Sequence, residues 1–157
     1  MVSLRPMTDD EFALFLAQNI PDYAAEKVKA GNWTPEEAAQ HSADDHAKLL
    51  PEGLATPNQH IYTIELDSTP VGRVWLSTQQ ESAARAGFIY DLFVAEPFRH
   101  RGVATEAMHL LEKEAALLGL ESLALHVFGF NTAARALYKK LGYEITNLNL
   151  AKSISAA

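Results

Sequence analysis

The sequence predicts an α/β (α+β) domain, a mixed, twisted central sheet of about six to seven strands flanked by about four to five helices. Three observations carry this. Apolar residues spaced for helix faces dominate residues 8–50, β-branched and aromatic runs dominate after Pro57, and residues 87–128 read as a strand–helix–strand unit, which requires a parallel pair. At 157 residues, the chain 1–157 reads as a single domain able to bury roughly 70% of its unfolded surface.

Val2-Ser3-Leu4-Arg5 reads as a short strand. Thr8-Asp9-Asp10-Glu11 offers a capping box before Phe12, Phe15 and Leu16, so a helix begins near residue 9. Pro21 lacks an N–H and crowds the preceding turn, and is expected to kink or divide that helix before it resumes through Tyr23, Ala24 and Val28 to Gly31. Thr34-Pro35-Glu36-Glu37 repeats the start signal with proline at the first helical position. This second helix runs to Leu50, ahead of Pro51 and Gly53.

His60–Leu66 and Val71–Leu76, joined by Asp67-Ser68-Thr69-Pro70, read as an antiparallel hairpin. A polar loop at Gln79–Arg85 follows. The nearly continuous apolar run Gly87–Val94 suits a central strand beside that hairpin. Thr105–Leu118 puts Met108, Leu111, Ala115 and Leu118 on one helix face and ends at Gly119, and Ser122–Phe128 returns as a strand. Asn131 caps a last helix carrying Ala134, Leu137, Tyr138 and Leu141, Gly142 stops it, and a final strand follows over about Tyr143–Leu150.

Composition narrows the chemistry. With 48% hydrophobic and 21% charged residues the chain is of ordinary globular type. The absence of cysteine excludes disulfides, thiolate zinc sites, iron–sulfur clusters and a cysteine-bound acyl intermediate, and fits a reducing, cytoplasmic setting. No apolar stretch is long enough to cross a membrane as a helix, and the N-terminus lacks the order of a signal peptide, so no membrane partner is expected. A net charge of -7 speaks against a nucleic-acid partner. The whole excess lies between residues 8 and 52, where ten acids face Lys27, Lys29 and Lys48. That stretch is either a solvated face or an acidic mouth for a cationic substrate.

Chemistry concentrates at Val94-Ala95-Glu96-Pro97-Phe98-Arg99-His100-Arg101-Gly102-Val103-Ala104-Thr105, between a buried strand and a helix. Unpaired amides in a first helical turn attract an anion, Gly102 and Ala104 allow close backbone approach, and Arg99 and Arg101 add fixed charge. On its own Arg-x-Arg-Gly is either an ordinary basic turn or a pyrophosphate cradle. It is neither G-x-x-x-x-G-K-[ST] nor G-x-G-x-x-G, so ATP and NAD are poor candidates. No histidine pair at i, i+4 suggests a metal, and none is expected.

Arg99-His100-Arg101-Gly102-Val103-Ala104 resembles the [RQ]-x-x-G-x-[GA] acetyl-coenzyme A signature of the GNAT acetyltransferase superfamily, with Ala104 in place of the commoner glycine. Asn131-Thr132-Ala133-Ala134 through Tyr138 to Gly142-Tyr143 is similar to the family's N-x-x-A-x-x-x-Y-x-x-x-G-[FY] block. Residues 88–144 carry both motifs in the family's order. The resemblance implies a GNAT fold and an N-acetyltransferase with acetyl-CoA as cosubstrate, no metal, and direct transfer to a primary amine within a ternary complex. A non-catalytic sensor of coenzyme A or acetyl-CoA is the competing reading.

The resemblance further implies that Leu92, Phe93 and Val94 pair with the pantetheine amides. Val94 N–H, where the family's central strand bulges and splays, would meet the oxyanion. Arg99, His100, Arg101, Gly102, Val103, Ala104 and Thr105 would hold the pyrophosphate, with His100 leaning to solvent, and Asn131 would lie beside the pantetheine. Tyr138 matches the family's thiolate-protonating acid, though without the motif it reads as a core aromatic. His126 is the leading base, with Asp91, Glu26 or a water chain as alternatives. The acceptor would be a small-molecule or peptide amine, and a homodimer is common in the family.

Overall fold

The structure, a computed structural model, describes residues 1–79 and 85–155. Five strands and four α-helices follow in the order β1 (Val2–Pro6), α1 (Asp9–Lys29), α2 (Pro35–Leu49), β2 (Gln59–Leu66), β3 (Thr69–Ser77), β4 (Ala86–Val94), α3 (Val103–Leu117), β5 (Ser122–Leu125) and α4 (Thr132–Lys140). The sheet order is β1-β2-β3-β4-β5. The first three pairings are antiparallel and β4–β5 is parallel, as the strand–helix–strand unit requires.

The capping box forms: Glu11 N–H donates to Thr8 Oγ1 at 3.2 Å and Thr8 N–H to Glu11 Oε1 at 3.0 Å. Pro21 does not divide α1, which runs through it as one helix. Its partner helix supplies a polar contact beside the proline, since Ser42 of α2, buried, donates its hydroxyl to the Ile20 carbonyl at 2.6 Å.

Each face of the sheet has its own core. Ile64, Val74, Leu76 and Ile89 meet Met108 and Leu111 of α3, with Tyr138 of α4 and Leu141 just after it at the margin. On the opposite face Trp75 and Ile61 meet Met7, Phe15 and Leu50 under α1 and α2. Strand alternation divides neighbours in β3, Val74 and Leu76 to one side and Trp75 to the other.

Three further expectations need correction. The sheet has five strands among the described residues, not six to seven, because 143–155 form no regular element and Ile145, Leu148 and Leu150 are 70%, 70% and 91% exposed. The apolar residues there slip phase, Tyr143 and Ile145 then Leu148 and Leu150, so no single strand face collects them. β5 ends at Leu125 rather than Phe128, since β4, its partner among the described residues, pairs no further than Ile89. The bulge of β4 falls at Tyr90, four residues before Val94: Trp75 pairs with Asp91 and Leu76 with Ile89, leaving Tyr90 as the extra residue. Of the polar loop expected at Gln79–Arg85, residues 80–84 lie outside the described residues.

Candidate active site

The bulge re-phases β4. Ile89 before it and Leu92 and Val94 after it all reach the α3-side core, while Phe93 packs against the Arg73 guanidinium, which also donates to the Asp91 carboxylate. Beyond the bulge β4 also leaves β5, because the parallel register covers only Ala86–Ile89 with Ser122–Leu125. A wedge opens there. Ala95 N–H donates to Val71 O of β3 at 2.8 Å, so by strand alternation Phe93 N–H faces β3 and the amides of Leu92 and Val94 face the wedge. Val94 carbonyl accepts Arg99 Nε at 2.7 Å.

β3 lies tight against this segment. A Cβ on Gly72 would stand 2.2 Å from Phe93 O, so only glycine fits opposite Val94.

The wedge strand leads through a 3-10 turn, Glu96–Phe98, to the start of α3. Here Gly102 adopts the left-handed conformation at φ 78 as N-cap, and no side chain caps the helix, whereas Thr8 and Asn131 cap α1 and α4. The first helical bond is Glu106 N–H to Gly102 O at 3.0 Å, which leaves the N–H groups of Val103, Ala104 and Thr105 without intrahelical acceptors. The space a side chain on Gly102 would take is open within 4 Å. Arg99, His100 and Arg101 are exposed around it, with Arg99 lying 5.4 Å from the Phe93 ring and Arg101 5.8 Å from that of Phe98. His100 holds a positive φ of 62, a strained state that its sequence position did not announce.

His126 follows directly on β5, exposed, its ring edge-on to Phe128 at 4.8 Å. Partial burial and then the charge of Lys27 lower its pKa, favouring the neutral imidazole. Asn131 Oδ1 accepts Ala134 N–H at 3.2 Å as the α4 cap. Tyr138, half-buried and edge-on to Tyr143 at 5.7 Å, is pushed up to about 12 by burial and by the negative charge of Asp91. Asp91 is itself pushed up by burial against the pull of Arg73, and its Oδ2 accepts Arg73 Nε at 2.7 Å. Glu26 on α1 is raised by burial, then by Asp91 and Asp22.

The wedge amides and the uncapped helix start thus lie along one strand–turn–helix path, with a neutral imidazole and a protonated phenol on the elements that follow. Such a path suits an extended ligand that has amides at one end and a diphosphate at the other. Sequence reading singled out Val94 and the loop 99–105, which lie on this path, and did not single out Gly72 and Arg73, which pack against it. A charged residue inside the apolar run Val71–Leu76 was the available signal for Arg73. Among the described residues no group of three or more His, Cys, Asp or Glu is placed to hold a metal, and no helix is long and apolar enough to cross a membrane.

Comparison with known proteins agrees with this geometry. The acetyltransferase (GNAT) family profile matches residues 25–143. YycN of Bacillus subtilis, named an uncharacterized N-acetyltransferase, is 38% identical over 154 residues, covering 98% of this chain and 99% of its own length. The crystal structure of YycN superposes with a TM-score of 0.94 at 37% identity, covering 99% of this chain and 100% of that one. YdgE from the same organism, also named an N-acetyltransferase, is 33% identical over 97% of this chain and 98% of its own. A structure of AAC(6')-Iy in complex with the bisubstrate analogue CoA-S-monomethyl-acetylneamine shares the fold at TM-score 0.62 and 16% identity, covering 99% of both chains. The chain belongs to the GNAT family and is a GNAT-type acyltransferase.

Proposed function

We propose that this chain, acting as one domain over 1–157, moves the acetyl group of acetyl-CoA directly to a primary amine in a ternary complex. The observation that carries the reading is the wedge. Two β4 amides, Leu92 and Val94, face a side that β5 has left, and the same path ends at an uncapped helix start flanked by Arg99 and Arg101. Acetyl-CoA supplies an activated thioester, and the residues present fit it. Leu92 and Val94 offer donors to pantetheine, the amides of Val103, Ala104 and Thr105 with Arg99 and Arg101 suit the pyrophosphate, and Asn131, at the start of α4, would lie along the pantetheine.

The chain's own groups then divide the work. Val94 N–H is the donor for oxyanion charge that develops at the thioester carbonyl. An alkylammonium must lose a proton before it attacks, and His126, held neutral, takes that proton directly or through water. Tyr138, protonated over the whole physiological range, gives a proton to the departing sulfur. With no cysteine in the chain, a thioester-bound enzyme intermediate has no residue to form on.

Support for a cationic acceptor comes from Asp22 and Glu26 of α1, whose negative field meets that of Asp91 next to the wedge. Two proteins that share the fold, at 14% and 21% identity, are named aminoglycoside acetyltransferases. Polyamines, aminoglycosides and basic peptide termini are therefore the first acceptors to try. The test is a free-thiol release assay with acetyl-CoA against that panel, with both substrates varied. Intersecting initial-rate lines support direct transfer, whereas parallel lines, or no acceptor-dependent release at all, contradict it.

A further inference from the structure

Beyond Ile89 the wedge strand has lost its β5 neighbour, so its placement depends on what grips it from β3. Arg73, only 7% exposed, supplies that grip. Its Nε donates to Asp91 Oδ2 at 2.7 Å, and its guanidinium lies 4.4 Å from the Phe93 ring and 5.0 Å from that of Phe15. Arg73 thereby holds residues 91 and 93, the two that flank Leu92 and alternate with the wedge-facing amides.

The same guanidinium reaches the helices. Nη1 donates to Gln18 Oε1 at 2.7 Å and Nη2 to Asn19 Oδ1 at 3.4 Å, both on α1. Asn19 Nδ2 lies 2.9 Å from His46 Nε2, and His46 Nδ1 lies 2.8 Å from Ser42 O on α2. An imidazole that donates from Nδ1 and accepts at Nε2 satisfies both contacts. One hydrogen-bonded chain therefore runs from the wedge strand to α2. A buried ion pair is a poor source of net stability, since an apolar pair of similar volume commonly serves as well. Its place here, beside the bulge, calls for a positional role.

We propose that Arg73 is a positioning residue for the acyl donor, setting the placement of the Leu92 and Val94 amides and tying that placement to α1 and α2. The proposal rests on the coenzyme A reading of the wedge. It separates two parts of the ligand: the pantetheine arm depends on Arg73, and the diphosphate end, held at Arg99–Thr105, does not.

Calorimetric titration of coenzyme A and of 3′-phospho-ADP, which lacks the pantetheine arm, tests this in Arg73→Lys, Arg73→Met and the apolar pair Arg73→Met/Asp91→Leu, each checked by thermal melting. Arg73→Met should weaken coenzyme A about tenfold, the worth of roughly one displaced hydrogen bond, while 3′-phospho-ADP stays within about twofold. The double variant should recover melting temperature without recovering coenzyme A affinity. Should Arg73→Met fail to fold, the same comparison is made with the double variant and Arg73→Lys. Equal losses for both ligands, or coenzyme A affinity restored along with melting temperature, would overturn the proposal. Wild-type protein that takes up 3′-phospho-ADP but not coenzyme A, or neither, would instead overturn the reading of the wedge on which it rests.

Discussion

Removing one hydroxyl group, by Tyr138→Phe, isolates the acid proposed for the departing sulfur. The phenol is pushed up to about 12, while an ordinary thiol titrates near ~8.5, so full proton transfer to a solvated thiolate would run uphill by about 5 kcal/mol. Tyr138 can therefore deliver its proton only as the C–S bond breaks and charge builds on a sulfur shielded from water. Such a weak acid belongs at the low end of general-acid effects, about 10²-fold in kcat, or ~2.7 kcal/mol. Phenylalanine keeps the ring that packs against Tyr143 and the α3-side core, so melting temperature and coenzyme A affinity should hardly change. Steady-state thiol release at saturating substrates, read beside calorimetric coenzyme A binding and thermal melting, gives the answer. The wild-type profile should also show no basic limb from Tyr138 below about pH 11. A folded Tyr138→Phe enzyme with kcat within about threefold of wild type would refute the assignment.

Three other consequences are open to measurement. Because burial and Lys27 lower the His126 pKa, the acid limb of kcat/KM should lie below 6.5; His126→Gln should abolish that limb and cost about 10²-fold, and Lys27→Met should move it upward. Glu11 is held at about 2, against an ordinary 4.5, first by hydrogen bonds from Arg5 at 2.8 and 3.0 Å, so its stabilisation is complete above 4.5 and is lost as pH falls towards 2. With the side chain 24% exposed and partly screened, Glu11→Gln should cost about 1–2 kcal/mol in denaturant unfolding at pH 7 and flatten the acid-side decline. Gly72→Ala places a methyl group 2.2 Å from Phe93 O; it should lower stability by about 1–3 kcal/mol and weaken coenzyme A binding as β4 is pushed aside.

Local chemistry was legible and long-range pairing was not. The capping box at Thr8, the helix start at Thr34 with Glu37 closing on its backbone, the hairpin around Asp67 and the Met108, Leu111 and Ala115 face of α3 announce themselves within a few residues and are present, although Leu118, expected on that face, lies past the helix end and is exposed. The strand–turn–helix setting of residues 99–105 was equally readable, since Gly102 ahead of an amphipathic run marks a helix start, which the structure has at Val103. The bulge was misplaced because the motif marks only where β4 ends. Its sign lay in the apolar phase of the strand, where Ile89 and then Leu92 and Val94 reach one core across an odd step. Pro21 does not divide α1, because its local preference for a break is overridden by packing against α2. The expected last strand had apolar residues but no constant face for them to share. Arg73 could not be read at all as a link, for its partners Asp91 and Gln18 lie 18 and 55 residues away in sequence.

Backbone amide shifts during a coenzyme A titration, followed in a nitrogen–proton correlation spectrum, probe the wedge and the helix start together. The expected result is saturable movement concentrated at Leu92, Val94 and Val103–Thr105, with much smaller effects in β1 and β2. A titration that leaves those amides in place, or moves a different surface, would contradict the account.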